Sequence, residues 1–262
     1  MKHKKIGRLV VFALVVFIAA GLFSGPVKRA YVLPVLMYHR VDGQQSLVSK
    51  LAVSPRAFER QMRFFSRHRY NVISLKNAVG LLKDGEKIPA KTVVITFDDG
   101  YEDNYSTAFP ILKKYNIPAT IFVIVDFIGH KGYLNEQELR ELAAHPLITI
   151  ASHTLSHRVL TELSPRERKD EIYRSGRLLE KKIGRSVELF SYPLGAFDPA
   201  ARRMVISAGY LGAVATNPGK DYPRHDIYAL KRLRISENCG NMFVFWAETS
   251  GYYTFIKEHR DD

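Results

Sequence analysis

Four residues have the types and spacing for metal-assisted hydrolysis: adjacent Asp98 and Asp99, and His153 and His157 four positions apart. Each pair closes an apolar run. Val93, Val94, Ile95, Thr96 and Phe97 lead into Asp98, Asp99 and Gly100, and Leu147, Ile148, Thr149, Ile150 and Ala151 lead into Ser152 and His153. Runs of this kind bounded by turn residues predict buried strands. The carboxyl ends of such strands are where α/β folds keep their chemistry, and Gly100 lets the backbone turn sharply past the acids. Two adjacent carboxylates repel, so at least one needs a cation or a raised pKa. Asp-Asp-Gly alone is equally a turn. In a helical turn, however, positions i and i+4 share a face, so both imidazoles can reach one metal. Two imidazoles and one carboxylate leave positions open, as in a catalytic site. The other carboxylate is then free to act as general base on a water.

At these residues the chain resembles the polysaccharide deacetylase family, also called NodB-homology proteins or family 4 carbohydrate esterases. Thr-Phe-Asp-Asp-Gly at Thr96 to Gly100 and His-Thr-Leu-Ser-His at His153 to His157 are similar to its first two motifs. The resemblance runs from Pro34 to Arg234. It implies a deformed (β/α)7-like barrel, with Asp99, His153 and His157 holding one divalent metal ion, zinc, and Asp98 as the base. The substrate implied is an N-acetylated glycan. Ser191-Tyr192-Pro193-Leu194-Gly195 resembles the third motif, usually arginine, any residue, proline, tyrosine and glycine. There the resemblance implies that Pro193 and the Leu194 N–H help hold the oxyanion. Ser191 stands where the family has the arginine that orients the aspartate, so tuning of Asp98 must come from elsewhere or be weaker. The family's later acid histidine has no match either, since Leu230 to Ile235 holds Lys and Arg. His225 and His39 are candidates for the acid by type. His39 follows an apolar run ending in Tyr38 and so shares the strand-end rim. The departures leave room for a carbohydrate-binding or scaffold protein with weak or no turnover.

The elements that must position these residues alternate between strand and helix, which argues for a parallel sheet or barrel. Ser54-Pro55 predicts a helix start, with Phe58, Met62 and Phe65 inward and Arg56, Arg60, Arg63 and Arg67 outward. Further helices are predicted over Lys76–Lys83, Ala108–Tyr115, Glu136–Ala144 and Arg166–Ile183. Strands are predicted at Val32–Tyr38, Tyr70–Leu75, Ala119–Val125 and Phe190–Tyr192. The Glu residues of Glu136–Ala144 read as a solvated face, and the mixed charges of Arg166–Ile183, with no interleaved aromatics, argue against nucleic-acid binding there. Met242 to Ile256 is aromatic-rich, a closing core helix in preference to a sugar-stacking surface.

The 262 residues carry a formal net charge of +13, which favours anionic surroundings. Lys2, Lys4, Lys5 and Arg8 precede a charge-free stretch, Leu9 to Val27. That is near the length needed to cross a bilayer, with the basic end inside. We expect residues 1–30 to be a signal-anchor or signal peptide and residues 31–262 a single extracytoplasmic domain attached to the membrane. Export disfavours nucleic acid as partner. Cys239 is the single cysteine, which excludes an internal disulfide, and no motif around it suggests a catalytic thiol.

Overall fold

The computed structural model describes residues 32–44, 49–216 and 226–251. The stretch Leu9 to Val27, His225 and the residues after Gly251 lie outside that range. Among the described residues no helix is long and apolar enough to cross a membrane.

The strands are β1 (Val35–Tyr38), β2 (Arg40–Val41), β3 (Ala52–Val53), β4 (Asn71–Ile73), β5 (Thr92–Phe97), β6 (Ala119–Val123), β7 (Ile148–Ser152), β8 (Leu189–Ser191), β9 (Gly212–Ala215), β10 (Leu230–Lys231) and β11 (Leu233–Arg234). The main sheet runs β10-β9-β8-β7-β6-β5-β1-β11, with β4 also on β5, and every pairing in it is parallel. The two edges are one piece of chain. β10 pairs with β9 and β11 pairs with β1, and only Arg232 separates them. The sheet therefore curls into a nearly closed barrel whose seam is that arginine.

Alternation along the strands sorts the core into two clusters. Val35, Val94, Phe122, Ala151, Leu189, Val214 and Leu230 form one, together with Leu75, Ala78 and Val79 of a helix. Their neighbours Leu36, Val93, Ile95, Ile121, Val123, Ile150, Phe190, Ala213 and Leu233 join the other, beneath the remaining helices. Successive side chains of a strand point to opposite faces, so the first set fills the barrel and the second backs it. Both faces are dry, which is why the strands read as unbroken apolar runs.

The helices are α1 (Pro55–Arg67), α2 (Leu75–Lys83), α3 (Phe109–Tyr115), α4 (Glu136–Ala144), α5 (Pro165–Lys169), α6 (Ser175–Ile183), α7 (Pro199–Ser207) and α8 (Met242–Glu248). α1 begins as predicted: the Ser54 Oγ accepts the Ala57 N–H at 3.3 Å, and Phe58, Met62 and Phe65 are fully buried. Arg56, Arg63 and Arg67 are exposed, but Arg60 is half-buried and donates to the Gly240 carbonyl at 3.0 Å. The single helix expected over Arg166–Ile183 is two, joined by a π turn at Asp170–Arg174, and another π turn, Asn104–Ala108, precedes α3. The aromatic-rich end divides the alternatives set for it: Phe245 is core, while Phe243 and Trp246 are exposed.

Candidate active site

Every predicted site residue in the described range sits at the carboxyl end of a barrel strand. Asp98 follows β5, its N–H donating to the Tyr38 carbonyl at 2.9 Å, so β1 fixes the height of the acid pair. Beyond it the chain leaves extended geometry. Asp99 has φ 74° and Gly100 φ 74°. A Cβ on Gly100 would lie 3.3 Å from both Val123 methyl carbons and strain the backbone, so glycine is required there. Asp tolerates the left-handed region better than most residues. The simple alternation of an extended chain, which would send the two carboxylates to opposite sides, thus does not hold here.

The histidines are also held differently from expectation. His153 and His157 are not on a helix but in a loop after β7, with Thr154 at φ 68° and His157 at φ 62°. β-branched Thr154 gains such a backbone only under external restraint. The loop supplies it: the His157 N–H donates to the Thr154 Oγ1 at 3.0 Å, and Glu171 accepts the Leu155 and Ser156 N–H groups at 2.8 and 3.0 Å and the Ser156 hydroxyl as well. Glu171 belongs to the second π turn and is 5% exposed, so this charged residue of the expected Arg166–Ile183 helix is turned to the histidine loop. Arg168 is likewise buried and forms two 2.9 Å bonds to Asp198.

Together these restraints gather Asp99, His153 and His157, whose ligand atoms lie within 4.8 Å of one another. The His153 Nδ1 meets the Ser191 carbonyl at 2.9 Å, which assigns the proton to Nδ1 and leaves Nε2 as a free lone pair. That Nε2 is 3.5 Å from the Asp99 Oδ1, and the His157 Nε2 is 3.6 Å from the same oxygen. Ligands ~2.1 Å from a tetrahedral ion lie ~3.4 Å apart, so these spacings fit a zinc-sized cation. Protonation agrees. Burial lowers the pKa of both imidazoles, that of His153 to about 4, so both present neutral nitrogens. Burial, with the Asp98 charge beside it, pushes Asp99 up to about 6, a carboxylate short of positive charge.

Asp98 is not short of it. Burial alone would raise its pKa, but the Arg232 guanidinium overrides this and holds the carboxyl well below the usual range. Arg232 grips both Asp98 oxygens at 2.6 Å, one from each Nη. It also donates to the Ser191 Oγ at 3.0 Å, the Thr96 Oγ1 at 3.3 Å and the Ala215 carbonyl at 3.4 Å. Tuning of Asp98 thus comes from elsewhere in the chain and is not weak, and Ser191, standing at the expected arginine's position, receives the replacement. Arg232 was not among the predicted site residues. Leu230 lines the barrel and Arg232 lies two residues on, so a charge at an interior strand position was the one available signal.

His39 sits on the same rim after β1, 9% exposed, with a buried Nδ1 that has no hydrogen-bond partner. Burial lowers its pKa, while Asp98 and Asp99 act on it in the opposite sense, so it lies within electrostatic reach of both. Its carbonyl accepts from the Asn104 Nδ2 at 2.8 Å, which fixes the turn out of β1. After β8, Pro193 is buried, while Leu194 is 71% exposed in the left-handed region at φ 55°. A Cβ on the next residue, Gly195, would meet the Thr216 nitrogen at 2.5 Å, so this turn is packed hard against the strand end after β9. Tyr101 lies beside Asp99, between the Tyr133 ring at 4.9 Å and the Arg40 guanidinium at 4.9 Å.

A family model described as polysaccharide deacetylase matches residues 85–213. The chain is 38% identical over 218 residues to YxkH of Bacillus subtilis (strain 168), which carries the name polysaccharide deacetylase, covering 83% of this chain and 76% of that one. It is 28% identical over 228 residues to a poly-beta-1,6-N-acetyl-D-glucosamine N-deacetylase of Staphylococcus aureus, 78% of each chain. Among solved structures, the Streptococcus pyogenes deacetylase PplD in complex with acetate is similar, with TM-score 0.72 and 26% identity over 86% of this chain and 97% of that one.

Proposed function

Because the chain belongs to the polysaccharide deacetylase family, we propose that it hydrolyses the acetamide groups of a cell-envelope or extracellular glycan, of the peptidoglycan or poly-N-acetylglucosamine type. The Staphylococcus aureus relative named for poly-beta-1,6-N-acetyl-D-glucosamine supports that substrate class, and a net charge of +13 suits an acidic envelope. One observation carries the reading: Asp98, buried and ion-paired to Arg232, stands beside the Asp99, His153 and His157 donor set.

Those donors would hold a divalent metal, zinc by the tetrahedral N/O set, which supplies Lewis acidity to the acetamide carbonyl and acidifies a water. Asp98 accepts the proton of the attacking water, and Arg232 keeps that carboxylate ionised and oriented before the attack. The exposed turn at Pro193 and Leu194 offers the Leu194 N–H to the oxygen that gains negative charge as the tetrahedral centre forms. The departing amine nitrogen takes up the proton that Asp98 accepted, directly or by way of His39 on the same rim, so C–N cleavage leaves acetate and a free amino sugar. Residues 1–30 export the domain of residues 31–262 and tether it to the outer face of the membrane.

A scaffold without turnover loses one of the two departures that suggested it, since Arg232 takes up the missing arginine's task; the missing acid histidine remains. The test is acetate release from β-1,6- and β-1,4-linked N-acetylglucosamine oligomers and from peptidoglycan, with and without chelator. Acetate from at least one substrate, abolished by chelator and restored by zinc, is expected. No acetate from any of them with metal loaded overturns the reading.

A further inference from the structure

Helix α8 is anchored to the fold by one face. Phe245 is fully buried, its ring 5.2 Å from that of Phe65 and 6.0 Å from that of Phe64 on α1. The opposite face is left bare: Phe243 is 72% exposed, Trp246 48% and Val244 37%, with the two rings 5.7 Å apart. Isolated exposed apolar residues are ordinary, but two large aromatics side by side on one short helix are not. α1, against which α8 packs, carries arginines. Arg60 bonds the Gly240 carbonyl at the approach to α8, and Arg56, Arg63 and Arg67 are exposed on the same helix. Apolar rings next to arginines are the composition of a surface that lies in a lipid headgroup layer.

The chain's ends indicate which surface meets this face. The Val32 N–H donates to the Gly251 carbonyl at 3.0 Å, so the described fold begins and ends at one place, five residues past Trp246. Upstream, the uncharged stretch Leu9 to Val27 ends five residues before Val32. Five residues reach at most about 17 Å, and α8 itself is only about 10 Å long. Downstream, Tyr252, Tyr253 and Phe255 add aromatics ahead of a run of mixed charge, Lys257, Glu258, Arg260, Asp261 and Asp262. If residues 9–27 cross a bilayer, as the proposed tether has it, α8 is held within reach of the lipid surface.

We infer that the exposed face of α8 is a docking surface for an anionic bilayer, with Phe243 and Trp246 at the headgroup boundary and the arginines of α1 against lipid phosphates. This inference rests on the proposed membrane tether. Docking turns the amino-terminal end of the barrel, where Val32 approaches β1, toward the lipid. The rim that carries Asp98 then looks away from the membrane, toward glycan.

Trp246 is the chain's single tryptophan, so its fluorescence reports on this face directly. The full chain is reconstituted into phosphatidylglycerol-containing vesicles, with and without brominated acyl chains, and into phosphatidylcholine vesicles. Flotation reads the tether and Trp246 reads the docking. The expected result is flotation, a blue-shifted emission quenched by brominated lipid in the anionic vesicles, and weaker quenching in the neutral ones. Arg63→Glu together with Arg67→Glu should reduce the quenching while flotation persists. Flotation with Trp246 unshifted, unquenched by bromine and open to iodide overturns the docking and leaves the tether standing. Failure to float overturns the tether and the docking with it. N-acetylglucosamine oligomers shifting Trp246 where vesicles do not would make the face a sugar platform and also overturn the inference.

Discussion

Replacing Arg232 with Met tests whether this residue sets the state of the base. The guanidinium is 3% exposed and bonds both oxygens of an equally buried Asp98 at 2.6 Å. Methionine keeps much of the volume but removes the cation, leaving an unpaired carboxylate in the barrel. Removing one partner of a buried pair costs about 3–5 kcal/mol, which at about 2–4 °C per kcal/mol for a domain of this size lowers Tm by about 6–20 °C. The pH dependence carries a sign that a merely structural loss would not. In the wild type, the Asp98 pKa lies below its ordinary 3.8, so the pair's stabilisation is complete above that pH and fades as pH falls toward the lower folded value. In the variant, burial is no longer opposed by Arg232, first among the groups that lower this pKa, and the folded pKa rises above 3.8. Such a group destabilises most when ionised. The Tm deficit of chelator-treated variant against wild type should therefore narrow as pH is lowered from 7.

Activity should follow the same titration. The acid limb of the kcat profile moves to higher pH, and below that limb, where the base is protonated, the rate falls by on the order of 10²-fold. Adding Asp98→Asn should recover part of the lost stability, because the double variant buries no unpaired charge. Calorimetry, pH–rate profiles and this cycle are the assays. A folded Arg232→Met protein with wild-type Tm and an unmoved acid limb would refute the idea that Arg232 sets the state of Asp98.

Four further outcomes are expected of the site and its tether. His153→Ala and His157→Ala should each abolish metal retention, which elemental analysis of the purified variants checks, since either removes one of three protein donors. Asp98→Asn should keep metal and lose about 10² to 10⁴-fold in rate, whereas Asp99→Asn should lose both; near wild-type acetate release from Asp98→Asn at saturating substrate would remove it as base. Glu171→Ala frees two backbone N–H groups and a hydroxyl in the histidine loop, so metal affinity by competitive chelation should fall about 10–100-fold, with Glu171→Gln milder. Removing residues 1–30 should yield a soluble domain while the full chain sediments with membranes; full-length protein of unchanged mass in the soluble fraction would count against the tether.

The parts legible from sequence were those whose physics is local. Thr92–Phe97 and Ile148–Ser152 are strands because both faces of each are buried, so apolar runs suffice to announce them. Ser54 accepts a helix N–H group as its type and position predict. Asp98, Asp99, His153 and His157 were identifiable because strand ends and residue types are both written in the chain. The conformation that brings the histidines together was not, because left-handed Thr154 and His157 are imposed by Glu171, a residue distant in sequence from His153 and inside what reads as a continuous charged helix.

The π turn in that helix suggests why its pattern misled. A continuous α-helix repeats every 3.6 residues, and an i→i+5 turn inserts an extra residue that rotates the next helical segment about the axis. Glu171 lies in such a turn and is buried against the histidine loop. Asn104 lies in the other π turn and reaches the His39 carbonyl from it. In both places the irregular turn carries a buried polar side chain that braces the rim of the site, at the expense of a readable helical pattern. Arg232 was hidden for a different reason. Its flanking strands hold two residues each, too few to show any period, and Asp98 lies 134 positions away. Such a pairing exists only once the barrel closes. Asp98 is then held ionised by the same residue that forms the seam, so loosening of the seam should weaken the base before it unfolds the sheet.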